Sequence, residues 1–70
     1  MDPVEQFAQN LRAARRRRGL SQEALAAAAD LHRTEVSLLE RGGREPRLTT
    51  LVRLARALDI KPVALLAKVK

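Results

Sequence analysis

Apolar residues recur at helical intervals from one end of the chain to the other. Val4, Phe7, Leu11 and Ala14 keep a spacing of three or four, which lines them along one face of a helix. Leu25 and Ala29 repeat the pattern, and Leu31, Val36 and Leu39 resume it beyond a break. Leu48, Leu51, Leu54, Ala55 and Leu58 form a further stripe. Ile60, Val63, Leu65 and Leu66 carry the apolar pattern towards the C-terminus. Nowhere does the alternation by twos that marks a strand appear.

Cap and turn residues punctuate these stripes. Asp2 and Pro3 suit the start of a first helix, and Gly19 suits its left-handed end. The arginine run Arg15–Arg18 ends that helix and complements the negative pole of its dipole. Consecutive helical positions point in different directions. Arg15, next to Ala14 and one turn from Leu11, lies nearest the buried stripe. Ser21 is placed as the N-cap of a second helix, with Leu20 as staple and Glu23 in its first turn. Asp30 tolerates the left-handed conformation and breaks that helix. A third helix is predicted from Arg33 to Glu40, stopped by Gly42 and Gly43; Arg44, Glu45 and Pro46 make a loop. A fourth ends at Asp59, and Pro62 opens a fifth. The prediction is a single all-α domain of five short helices, spanning residues 7–66 between short termini, 1–6 and 67–70. At its centre, residues 22–41 read as two helices joined by a tight turn: an alanine-rich one made to be packed, and one with a polar outward face.

Composition narrows what such a domain does. Fourteen lysines and arginines against eight carboxylates give a net charge of +6 and a pI near 11.4. Lysine is confined to the last ten residues, so arginine carries most of this charge. Its planar fork matches phosphates and guanine edges. The partner is therefore a polyanion, either nucleic acid or an anionic membrane surface. Phe7 is the one aromatic residue, which argues against modules that stack unpaired bases on exposed rings. Cysteine is absent and His32 is the only histidine, so no metal site is expected and no cofactor. The longest apolar run, Ala24–Ala29, is far short of the ~20 residues a membrane span needs. The N-terminus carries Asp2 and Glu5 rather than a basic leader, so the expected compartment is the cytoplasm. No paired carboxylates, Ser/His/Asp set or phosphate-cradling glycine loop suggests an enzyme. At this length only roughly 60% of the unfolded chain's surface is buried on folding, which leaves room for oligomerisation to add stability.

Three blocks then resemble one family in order and spacing: LSQEALA (Leu20–Ala26), VSLLERG (Val36–Gly42) and PRLTTLVRLARALDI (Pro46–Ile60). Together they resemble the Cro/CI-type, or Xre-type, helix-turn-helix family over nearly the whole chain. The resemblance implies a five-helix fold, sequence-specific binding of double-stranded DNA and a homodimer. By position it implies that Arg33, Thr34, Ser37 and Leu38 face base edges in the major groove. Gln22 would meet a phosphate and brace the recognition helix, and Arg15 and Glu40 would form a partly buried ion pair. The loop after the third helix would offer backbone N–H groups to a phosphate, and Arg47 would approach the minor groove. His32, Arg41 and Arg44 join the phosphate-contacting set. The chain departs from the family pattern at Asp30, where relatives usually carry glycine, at His32 in place of a capping hydroxyl, and at Leu38 in place of a polar base-reader.

Each assignment has a plainer counterpart. Arg33 reads a guanine or holds a phosphate; Thr34 and Ser37 touch bases, cap a helix or face solvent. Leu38 meets a thymine methyl, extends the core or contacts a second protomer. The apolar surplus after Asp59 is core packing or a homodimer surface made by the C-terminal helices. The expected function is a DNA-binding transcriptional regulator, repression being the expected sign. A non-enzymatic protein-interaction module is the alternative.

Overall fold

In the computed structural model, which describes residues 1–70, the first helix, α1, runs Pro3–Arg17. Asp2 starts it, accepting from the Glu5 N–H at 2.9 Å, and that bond holds its carboxyl below the ordinary aspartate pKa. Gly19, at φ 69°, turns the chain out of α1. Ser21 caps α2 (Gln22–Ala29) by accepting from the Ala24 N–H at 3.0 Å. Then follow α3 (Arg33–Glu40) and α4 (Leu48–Leu58).

The last element is a five-residue 3-10 helix, Pro62–Leu66, rather than a fifth α-helix. A single proline-led turn has few backbone bonds with which to propagate. Its exit is also fixed from outside, because Asn10 Nδ2 donates to the carbonyls of Leu65 (3.0 Å) and Ala67 (2.7 Å). Gln6 in turn donates to the Asn10 side-chain oxygen at 3.0 Å, one turn back on α1. The remainder is as the periodicity predicts: all-α, with no strand.

Both turns after α2 and α4 rest on aspartates. Asp30 and Asp59 take the left-handed conformation at φ 56°, so the helix-turn-helix closes on an aspartate, without a glycine. That conformation costs an ordinary L-residue ~1–2 kcal/mol, and less for aspartate. Asp30→Gly is therefore expected to raise stability by ~0.5–1 kcal/mol, net of glycine's greater chain entropy, seen as a higher urea midpoint. Asp30→Ala is expected to shift it downwards.

The core joins all five elements: Phe7, Leu11 and Ala14 of α1, Leu25, Ala26 and Ala29 of α2, Val36 and Leu39 of α3. Leu51, Leu54, Ala55 and Leu58 of α4 and Leu65 complete it. Small alanines on α2 let α3 and α4 both approach it closely. Leu31 and Ile60 pack on the core's edge. Leu48 corrects the predicted stripe, because it is 75% exposed. It is the first residue of α4, where the stripe runs past the end of the core. It instead joins Val4, Pro46, Leu51, Leu66 and Val69 in lining an open apolar groove. No helix is long and apolar enough to cross a membrane.

Candidate nucleic-acid interface

The second helix of the motif is held by its inner face. Val36 and Leu39 of α3 are fully buried, which fixes the helix's rotation and turns Arg33, Thr34 and Arg41 to solvent. Ser37 lies between them, half-buried. Together with Gln22 these four line one shallow concavity. A second concavity, lined by Arg15, Ser21, Gln22, Glu23 and Arg33, adjoins it, with Gln22 and Arg33 common to both. The result is a continuous polar surface, studded with arginines, running from the start of α2 along α3.

Beneath this surface lies the charged anchor that the family resemblance implies. The Arg15 guanidinium donates to both Glu40 carboxylate oxygens, Nε to Oε2 at 2.6 Å and Nη2 to Oε1 at 3.1 Å. Its third nitrogen donates to the Leu20 carbonyl at 2.8 Å. Glu40 is 2% exposed and Arg15 13%, so the pair is largely removed from water. Hydrogen bonding to Glu40 raises the Arg15 pKa above its ordinary value against the opposing effect of burial. Gln22 Nε2 also donates to Glu40 Oε1 at 3.1 Å. Bracing of the recognition helix by Gln22 is thus direct, through the last residue of α3. One amide N–H of Gln22 is committed to that bond, and the second remains free for another acceptor.

Arg12 is a contributor that composition did not single out. Its Nη1 donates to the Glu40 backbone carbonyl, where a helix has unpaired acceptors and negative partial charge. The sequence signal was its place one turn before Arg15. Two arginines on α1 therefore grip the C-terminal end of α3, one by its side chain and one by its main chain.

The chain leaving α3 divides its backbone donors between closing the helix and facing outward. The N–H groups of Arg41, Gly42 and Gly43 donate to the carbonyls of Ser37, Leu39 and Leu38, closing the helix. They are not free for a phosphate. Donors without a backbone partner begin at Arg44 and Glu45. Gly43 sits against Leu38, whose Cδ2 would be 3.4 Å from an added Cβ. Leu38 is accordingly half-buried against the loop rather than projecting freely. Arg44 is also engaged: its Nη1 donates to Glu35 Oε1 at 3.0 Å. His32 and Arg47 occupy the N-cap positions of α3 and α4 without a side-chain cap bond, and both side chains are exposed. No cluster of three or more histidine, cysteine or acidic side chains is arranged to hold a metal.

Comparison with known proteins places this geometry. Residues 11–65 match the family model HTH_3, described as helix-turn-helix. The control protein C.SmaI of Serratia marcescens is 43% identical over 68 residues, covering 97% of this chain and 81% of that protein. An uncharacterised HTH-type transcriptional regulator of Sinorhizobium fredii, y4dL, is 46% identical over 60 residues. That alignment covers 86% of this chain, which spans only 31% of the relative's length. Among solved structures, the restriction-modification controller protein C.AhdI from Aeromonas hydrophila superposes with a TM-score of 0.87 at 45% identity, covering 89% of this chain and 94% of that one.

Proposed function

This chain belongs to the Cro/CI-type helix-turn-helix family, and we propose that it is a transcriptional regulator that binds double-stranded DNA sequence-specifically. The observation that carries this is the outward face of α3. Arg33, Thr34, Ser37 and Arg41 share one concavity with Gln22, on a helix whose opposite face is locked into the core. A helix so held can enter a major groove and present the same side chains each time. In this reading Arg33, Thr34 and Ser37 meet base edges, with Leu38 at the margin against a thymine methyl. Gln22, His32, Arg41, Arg44 and Arg47 hold the backbone.

The unit acts as a homodimer. Leu48, Val63 and Leu66 are exposed at 75%, 67% and 41%, and all lie in α4 or the 3-10 helix. A second copy covering that surface would set two recognition helices on one side of the duplex. The likeness to C.SmaI and C.AhdI, a control and a controller protein by name, supports a regulatory role, which we propose is exercised at promoters with repression as the sign. Access to DNA puts the protein in the cytoplasm. Binding, without a catalytic step, is the whole of the proposed activity.

Selection of bound duplexes from a randomised pool tests this. Half-sites are expected ~10–10.5 bp apart, or a multiple of that, as two-fold symmetry requires. Arg33→Ala is expected to relax selection at one position per half-site, a loss of ~1–3 kcal/mol of discrimination where a guanine is read bidentately. An Arg33→Ala variant that selects the wild-type sequence with wild-type affinity would remove Arg33 from the base-reading set. A wild-type chain that enriches no sequence would instead point to the protein-interaction alternative.

A further inference from the structure

Glu35 lies in the first turn of α3, and Arg44 reaches back to it from the following loop, with 3.0 Å between Nη1 and Oε1. Leu38 packed on Gly43 joins the same two elements. Glu35 is the one carboxylate on α3 open to solvent, because Glu40 is buried against Arg15. The cations of α3 and its C-cap, Arg33 and Arg41, are both pure donors. A base edge offering an amino group therefore finds a single charged acceptor on this helix, and it is Glu35.

The two partners are not equally held. The Arg44 side chain is 53% exposed, whereas that of Glu35 is 24% exposed. An exposed pair of this kind is weak, and Arg44 can exchange its carboxylate for a phosphate at little cost. Glu35, more sheltered on the helix flank, cannot follow. Once Arg44 has turned away, the carboxylate has lost its one side-chain donor and needs another.

We propose that Glu35 is a specificity-determining residue with Arg44 as its removable partner, a proposal that rests on the DNA-binding reading above. On DNA, Arg44 turns to a phosphate and the released Glu35 carboxylate accepts from the exocyclic amino group of a cytosine in the major groove. A duplex without that cytosine leaves a carboxylate unpaired among acceptors and phosphates. Wrong sequences are thus rejected by an unmet charge, in addition to right ones being held by Arg33.

The test is duplex selection by the 70-residue chain and its Glu35→Ala, Glu35→Gln and Arg44→Ala variants, each first shown by circular dichroism to melt as the wild type does. The wild type is expected to select cytosine at one position per half-site. Glu35→Ala loses that preference, roughly 5- to 150-fold, with the other positions unchanged. Glu35→Gln moves the preference towards adenine, whose major-groove edge pairs with an amide. Arg44→Ala lowers the slope of log affinity against log salt by about two units for a dimer. If both Glu35 variants select the wild-type sequence, or if Arg44→Ala leaves the salt slope unchanged, the proposal is overturned and DNA binding stands. If the wild type itself selects nothing, both readings fall.

Discussion

Arg15→Ala is expected to destabilise the domain by ~3–5 kcal/mol, the range for removing one partner of a buried ion pair. Urea unfolding at neutral pH is the measurement. The loss is severe because a chain of this size has only about 4–10 kcal/mol of stability in total. The asymmetry of the pair makes the prediction sharper. Without Arg15, the Glu40 carboxylate stays at the 2%-exposed position with Gln22 as its remaining side-chain donor. Without Glu40, Arg15 keeps its bond to the Leu20 carbonyl and lies closer to water. Glu40→Ala should therefore cost less than Arg15→Ala. The double change Arg15→Met, Glu40→Leu removes both charges and is expected to regain most of the lost stability. Such a variant separates holding from reading. It restores the fold but leaves Gln22 without its anchor, so weaker DNA binding at recovered stability would locate the pair's role in positioning α2 and α3. A double variant as unstable as Arg15→Ala would show that packing, not charge, dominates at this position.

How far the sequence discloses this architecture depends on the range of each interaction. Caps are local, and Asp2 and Ser21 were legible because each bonds an N–H three residues on. The buried stripe was legible because helical periodicity is itself local: Phe7, Leu11, Leu25, Val36, Leu39, Leu54 and Leu58 lie where spacing puts them. Leu48 was misplaced because periodicity says which face a residue occupies but not where the core ends. The Asn10 clamp was invisible for a different reason. Its acceptors are 55 and 57 residues away, and a polar residue on α1 carries no mark of a partner at that distance. The 3-10 form of the last element, a single proline-led turn whose exit that clamp holds, was no more legible. Within the site, the face of α3 follows from the positions of Val36 and Leu39. The commitments within that face do not. That Arg44 pairs with Glu35, and that the N–H groups of Gly42 and Gly43 close the helix, depends on the path of a loop. The Arg15–Glu40 pair came from family resemblance alone.

Raising salt from 50 to 200 mM is expected to weaken operator binding about a thousandfold. Three arginines per protomer, Arg41, Arg44 and Arg47, are exposed around the reading face and assigned to phosphates. A dimer then neutralises about six phosphates, and at roughly −0.9 per phosphate the slope of log affinity against log salt is about −5. Over a fourfold change in salt that slope gives about three orders of magnitude. A monomer holding about three phosphates would lose only about fortyfold over the same range, so the slope reports protomer number as well as contact number. Fluorescence anisotropy with the selected duplex measures it directly. The slope also separates the cations by role. Arg41→Ala or Arg47→Ala should flatten it by about two units and weaken all duplexes alike. Arg33→Ala should leave it nearly unchanged while altering which duplexes bind, because a guanine contact releases no counterion from a phosphate. The run Arg16–Arg18 provides the internal contrast. These three arginines are also exposed but lie at the end of α1, away from the chain that runs from α3 into α4 and carries Arg41 and Arg47. Their replacement by glutamine should change the slope much less than loss of Arg41 and Arg47. An equal flattening from both sets would mean that net charge, rather than the face built on α3, governs binding.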